Sequence, residues 1–195
     1  MITHWFPGDS SDKFFSLWED HNCFFDVLDH LPQTICHLDV FRRNLFAGKT
    51  ADGDDQTVAV DWAFVGRGAI GEELVPLVQA SIGFNEVDLA QAQDLEEIVL
   101  DGYLQGLHDV GWQGNPRQVR LGDTAASIRY RFAEIWRCLE IIQDETQQDW
   151  LAQTLWCPIE QVFDSIAQVG QLSASRTDQA RELMEVLGLV PAAAR

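Results

Sequence analysis

Basic residues are scarce in this chain of 195 residues, which has 13 lysines and arginines against 31 aspartates and glutamates. The formal net charge of −18 argues against nucleic-acid binding, because phosphate backbones are bound by basic surfaces. No apolar run approaches the roughly 20 residues that a membrane-spanning helix requires, so no membrane partner is predicted. The acidic charge is compatible with a cationic small-molecule substrate, and also with a surface that simply keeps the protein in solution.

Cysteine pairs and a leader segment are also missing. The four cysteines are scattered and form no C-x-x-C pair, which favours reduced, mostly buried thiols and a cytoplasmic location. The first residues, MITHWFPGDSSD, lack the basic stretch and apolar run of a secretory signal. The length and the 46% hydrophobic content predict a single domain over 1–195, with its core at about 11–190.

The segment CHLDVFRRNLF, residues 36–46, carries polar residues at the spacing of a phosphoryl-transfer site. His37 and Asp39 are separated by one residue, Asn44 follows five residues after Asp39, and Asp61 ends a later apolar run. Phosphoryl transfer needs a carboxylate that orients the attacking hydroxyl, and a carboxamide and a second carboxylate that hold magnesium. Asp39, Asn44 and Asp61 have the identities and the order that these three roles require.

The residues between Asn44 and Asp61 predict a β-hairpin. The short apolar stretch 44–47 is followed by GKTADGDDQ, a dense turn signal, and then by the β-branched stretch 57–60. A hairpin returns the chain to its starting point, so we expect Asp61 to lie beside Asn44.

These motifs resemble those of the aminoglycoside phosphotransferase and choline kinase-like family, whose members are relatives of the protein kinases. The family pattern is close to His-Gly-Asp-x-x-x-x-Asn followed by Ile-Asp-Trp and a nearby glycine, and this chain has His37-Leu38-Asp39 and Val60-Asp61-Trp62. The resemblance implies that Asp39 is the catalytic carboxylate and that Asn44 and Asp61 bind magnesium. It implies that His37 is a hydrogen-bonding residue that shapes the loop.

The resemblance also implies a fold and an activity. The expected fold is mainly α with a small β-hairpin, equivalent to the C-terminal lobe of a protein-kinase-like enzyme. The expected reaction transfers the γ-phosphoryl of ATP, with Mg²⁺, to a hydroxyl of a small-molecule acceptor. Only 36 residues precede His37, with one lysine and no glycine-rich loop, so we expect the nucleotide-covering lobe to be absent from this chain. A truncated chain, a partner that supplies the lobe and an inactive helical remnant or interaction module all remain open, as does the oligomeric state.

Two departures from the family pattern leave questions that the sequence does not answer. Leu38 replaces the family glycine, so the loop backbone must accept a side chain there. Arg42 and Arg43 are the nearby positive charges, and either one faces the transferring phosphate or pairs with Asp61 or Glu72.

A second motif, Gly66 to Gly71, matches G-x-G-x-x-G between an apparent strand, 57–65, and an apparent helix. With an acidic residue about twenty positions further on, it resembles a dinucleotide-binding fingerprint. That fold needs a second parallel strand, whereas residues 84–97 are polar and contain no strand-like run. A glycine-rich turn leading into a helix is the favoured interpretation.

Helical periodicity accounts for the rest of the chain. The predicted helices are 11–31, ended by Pro32, then 87–108, 123–143 with Asp123 as its cap, 146–168 with Pro158 kinking or splitting it, and 176–188. Trp112, Trp136 and Trp156 are candidates for an acceptor pocket, although core packing is favoured for Trp136.

Overall fold

The computed structural model describes residues 10–84 and 86–189, apart from the side chains of 10–14 and 171–174. This part of the chain is mainly helical with two small antiparallel sheets, which confirms the predicted α+β class. In chain order the elements are α1 (Ser10–His30), β1 (Gln33–Cys36), β2 (Leu45–Lys49), β3 (Asp55–Ala59), β4 (Gly66–Ala69), α2 (Ser81–Gly83), α3 (Ala92–Asp109), α4 (Pro116–Ile142), α5 (Glu145–Leu155) and α6 (Ile159–Leu187).

Strands β2 and β3 form the predicted hairpin, with Leu45 opposite Ala59 and Lys49 opposite Asp55. The second sheet pairs β1 with β4, so that Gln33 lies opposite Ala69 and Cys36 opposite Gly66. The hairpin is therefore enclosed in sequence by the β1–β4 pair. Both ends of its connections, the loop after β1 and the turn after β3, emerge on the same side of the small β region.

The glycine-rich motif is not a nucleotide-binding loop. Four of its six residues form β4, and both sheets in the described ranges are antiparallel, whereas a dinucleotide-binding unit needs adjacent parallel strands. Gly71 has a φ of 88°, and a Cβ there would lie 2.1 Å from the carbonyl oxygen of Val119. A glycine is required at this point because the chain turns tightly against α4.

The main core lies where α1, α4 and α6 pack together. Phe24 and Leu28 of α1, Ala125 and Ile128 of α4, and Met184 of α6 belong to one buried apolar cluster. Helix α4 also approaches the turn after β4, since a Cβ on Gly122 would lie 1.9 Å from the carbonyl oxygen of Ile70. This long helix is consequently the support on which the β region rests.

Local signals placed several helix ends correctly. Helix α1 ends at His30, just before Pro32. Helix α4 begins at Pro116, and the side chain of Asn115 accepts a hydrogen bond from the backbone N–H of Arg117 at 3.0 Å, as an N-cap does. Pro158 splits the helix predicted at 146–168, because α5 ends at Leu155 and α6 begins at Ile159.

Other predicted boundaries are wrong. Asp123 was expected to cap a helix, but it lies in the interior of α4 and is buried. The separate helix predicted at 176–188 is part of α6, which runs without a break from Ile159 to Leu187. No helix in the described ranges combines the length and the apolar composition of a bilayer-spanning segment.

Candidate functional site

His37 holds the loop that follows β1. Its backbone N–H donates to Oε2 of Glu73 at 3.0 Å, and its ring Nε2 donates to the carbonyl oxygen of Val60 at 2.9 Å. Its Nδ1 accepts a hydrogen bond from the backbone N–H of Asp39 at 3.3 Å. The ring lies against Trp62, with 4.5 Å between ring centroids. Because both ring nitrogens are engaged with backbone groups, the contacts of His37 tie its own loop to the turn after β3.

Asn44 connects the loop to the hairpin. Its side chain is 8% exposed, and its Nδ2 donates to both the carbonyl oxygen and Oδ2 of Asp39, at 2.9 and 3.1 Å. The backbone N–H of Val60 donates to the carbonyl oxygen of Asn44 at 3.0 Å, which places Asp61 next in the chain beyond that contact. The hairpin thus brings the two separated parts of the motif together.

Burial is the main cause of the raised pKa of Asp39, and the negative charge of Asp61 raises it further. The hydrogen bond from Asn44 and the nearby His37 act in the opposite direction. An effect of Asp61 on Asp39 requires the two carboxylates to be neighbours, because such interactions fall off over several ångströms. A cation between them would relieve this repulsion.

Two residues of this site have left-handed backbone conformations. Leu38 has a φ of 61° and Asp61 a φ of 60°, and the described residues contain only one other non-glycine residue with positive φ. Such conformations cost of order 1–3 kcal/mol each and persist where surrounding contacts impose them. The hydroxyl of Tyr130, on α4, donates to the carbonyl oxygen of Leu38 at 2.9 Å. The loop therefore accepts a side chain at the position of the family glycine.

The arginine alternatives are resolved by ion pairs formed elsewhere. Arg43 pairs with Glu86 at 2.7 Å and lies over the ring of Phe84, while Glu72 pairs with Arg129 of α4. Arg42 is exposed. The carboxylate of Asp61 makes no hydrogen bond or ion pair with the residues that the structure describes, so it remains available to an external ligand.

The donor set fits a magnesium ion better than a transition metal. Within the described ranges, no three or more His, Cys, Asp and Glu side chains gather as a metal site. Asp39 and Asp61 offer carboxylate oxygens, and Asn44 offers its Oδ1 because its Nδ2 is used by Asp39. Mg²⁺ is commonly held by one or two carboxylates together with water and substrate phosphates, and rarely by an all-protein cage.

Sequence reasoning missed two residues that hold the site. Tyr130 reaches Leu38 from 92 positions away, and no local pattern could have indicated that. Glu73 follows the glycine-rich turn, where the family often has an Asp-Leu pair, and this was a usable signal. The three candidate tryptophans lie on separate elements, and Trp136, expected in the core, is 68% exposed.

The fold and the site together define a mainly helical α+β protein in which an acidic, amide-containing loop cluster lies beside a β-hairpin. Comparisons with models of protein families, with characterised proteins and with solved structures find no match for this chain.

Proposed function

We propose that the chain carries the phosphoryl-transfer site of an ATP-dependent phosphotransferase that acts on a hydroxyl group of a small molecule. The observation that supports this most directly is the convergence of Asp39, Asn44 and Asp61 around the β2–β3 hairpin. Their order and identities are those that phosphoryl transfer requires. The resemblance to the aminoglycoside phosphotransferase and choline kinase-like family adds the same assignment of roles.

In this proposal Asp39 orients the attacking hydroxyl and receives its proton. Its raised pKa suits that role, because a carboxylate accepts a proton more readily when its conjugate acid is weaker. The hydrogen bonds from Asn44 fix one side of the Asp39 carboxylate, so that Oδ1 is the oxygen left to face a substrate. His37 and Tyr130 maintain the loop through its backbone groups.

Asn44 and Asp61 would hold the magnesium ion. The bound ion would neutralise charge on the nucleotide phosphates and align them with the acceptor. The exposed, unpaired carboxylate of Asp61 supports this assignment, since a group already committed to an arginine would have to break that pair before binding a cation.

The alternative is a non-catalytic interaction module, and one observation favours it. The hairpin and the turn after it expose apolar side chains, among them Phe46, Val58, Trp62 and Phe64, the last at 65% exposure. Contiguous exposed apolar residues mark interaction surfaces. A partner protein could cover this face whether or not the site binds a nucleotide.

The deciding experiment measures binding of ATP and Mg²⁺ by calorimetry and by thermal melting. We expect wild type to bind, and Asp61→Ala to weaken binding of the complex at least about tenfold, which is about 1.4 kcal/mol. Asp52→Ala is the matched control, because Asp52 is an exposed acid in the hairpin turn and has no role in the proposed site. At a ligand concentration near 100 times Kd, binding stabilises by about 2.7 kcal/mol.

Equal binding by wild type and Asp61→Ala would remove the proposed magnesium role. A melting temperature that ATP and Mg²⁺ leave unchanged in wild type would favour the interaction module.

A further inference from the structure

A cleft of about 430 Å³ opens beside the candidate site, between its loops and helix α3. On one side it is bordered by His37, Val40 and Trp62, the residues that flank Asp39 and Asp61 in the chain. On the other side are Ile98, Gly102 and Tyr103 of α3. Volumes of 300–1,000 Å³ are typical of small-molecule sites.

The polar atoms of the cleft walls are already satisfied by the protein. The ring nitrogens of His37 are engaged with backbone groups, and the indole N–H of Trp62 donates to the carbonyl oxygen of Ala59 at 3.0 Å. The Tyr103 hydroxyl bonds with Glu73, and the same carboxylate accepts from the backbone of His37. The cleft therefore offers apolar and aromatic surface and few free hydrogen-bonding groups.

Gly102 keeps the α3 side of the cleft open. A Cβ added at this position would meet no atom within 4 Å, so the glycine is not required by packing. Glycine in the interior of a helix costs roughly 0.5–1 kcal/mol relative to alanine. Gly106, one turn further along α3, is equally unobstructed but does not border the cleft.

We propose that this cleft binds the body of the hydroxyl-bearing acceptor, and that this body is uncharged and apolar, a ring or branched chain rather than a sugar or a polyamine. A sugar would lose hydrogen bonds to water that the walls cannot replace. A cation would find the nearest carboxylate, Glu73, already shared between two donors.

The acceptor role rests on the proposed function, whereas binding in the cleft does not. In the transfer, a bond forms between the acceptor hydroxyl oxygen and the γ-phosphorus of ATP. The bond from that phosphorus to the bridging oxygen breaks, ADP leaves with the electron pair, and the hydroxyl proton passes to Asp39.

The probe is 3-phenyl-1-propanol, titrated by calorimetry into the whole chain at several temperatures. Wild type should bind it with a negative heat-capacity change, the marker of apolar burial. Gly102→Leu should weaken binding at least about tenfold by filling the cleft, whereas Gly106→Leu should bind as wild type does. Ile98→Gln is a second test, since Ile98 is 70% exposed and its replacement leaves the core intact while making the cleft rim polar. It should weaken binding about threefold or more.

Absence of binding to wild type, or equal binding by Gly102→Leu and Gly106→Leu, would overturn the cleft assignment even if ATP and Mg²⁺ bind. Tighter binding of glucose or of benzyltrimethylammonium would overturn the apolar, uncharged class. Formation of 3-phenylpropyl phosphate with ATP and Mg²⁺, followed by ³¹P NMR, supports the acceptor role. Probe binding without nucleotide binding would leave the cleft in place and remove that role together with the proposed function.

Discussion

Replacing Asp123 by alanine would leave a positive charge without its partner in the interior. Asp123 of α4 and Arg176 of α6 each have side chains that are 2% exposed, and Nη1 of Arg176 lies 3.1 Å from Oδ1 of Asp123. Arg176 also contacts Glu96 at 2.9 Å, and Glu96 in turn pairs with Arg120 at 2.6 Å. The four groups balance in charge. Burial raises the pKa of Asp123 in spite of Arg176 beside it.

The raised pKa indicates that desolvation of Asp123 outweighs its attraction to Arg176. The intact network is therefore a modest net stabiliser, but removal of one member is costly because the remaining charge stays buried. We expect Asp123→Ala to lower the free energy of unfolding by about 3–5 kcal/mol. For a chain of this length, each kcal/mol shifts the melting temperature by about 2–4 °C, so the expected fall is about 6–20 °C.

Urea denaturation followed by circular dichroism measures the loss, and an unchanged denaturant slope shows that the folded and unfolded states are comparable. The matched control is Asp20→Ala, which removes one partner of the exposed pair with Arg181, 2.7 Å apart. That change should cost less than about 1 kcal/mol.

A double variant, Asp123→Leu with Arg176→Met, should regain most of the stability, since apolar side chains of similar size leave no buried charge. A loss below about 1 kcal/mol for Asp123→Ala would refute the reasoning, as would a double variant less stable than the single one.

Two further predictions concern α4. Burial raises the pKa of Glu134 from 4.5 to about 7, so the folded state holds this proton more tightly than the unfolded state and stability falls as pH rises between those values. Glu134→Gln should flatten that part of the pH profile and raise stability at pH 8 by up to about 3 kcal/mol, and an unchanged profile would contradict the assignment. Tyr130→Phe removes the hydrogen bond to the carbonyl oxygen of Leu38 and should cost about 1 kcal/mol in chemical denaturation. Equal stability of this variant and wild type would show that the bond contributes nothing.

The hairpin and several helix ends could be predicted because their causes are local. The turn between β2 and β3 is specified by its glycines and aspartates, and Pro32, Asn115 and Pro158 end or begin helices through their own backbone preferences. The same local reasoning placed Asn44 and Asp61 near each other, since a hairpin can only return the chain to its start.

Local reasoning was wrong where a residue has two roles that look alike in sequence. Asp123 precedes an amphipathic stretch, as a cap would, but Asn115 and Pro116 had already started the helix. The run 57–65 was expected to be one strand, but β3 ends at Ala59 and Asp61 turns the backbone into the left-handed region. A strand pattern does not report a single reversed φ angle.

The sequence by itself determined the short-range features: the hairpin, the helix boundaries set by proline and asparagine, and the order of Asp39, Asn44 and Asp61. Each depends on backbone angles and hydrogen bonds within a few residues. Tertiary structure alone decided that Tyr130 supports Leu38, that Arg43 pairs with Glu86, and that a cleft lies open beside Gly102. These contacts join residues far apart in the chain, and they follow from how α3 and α4 pack around the β region.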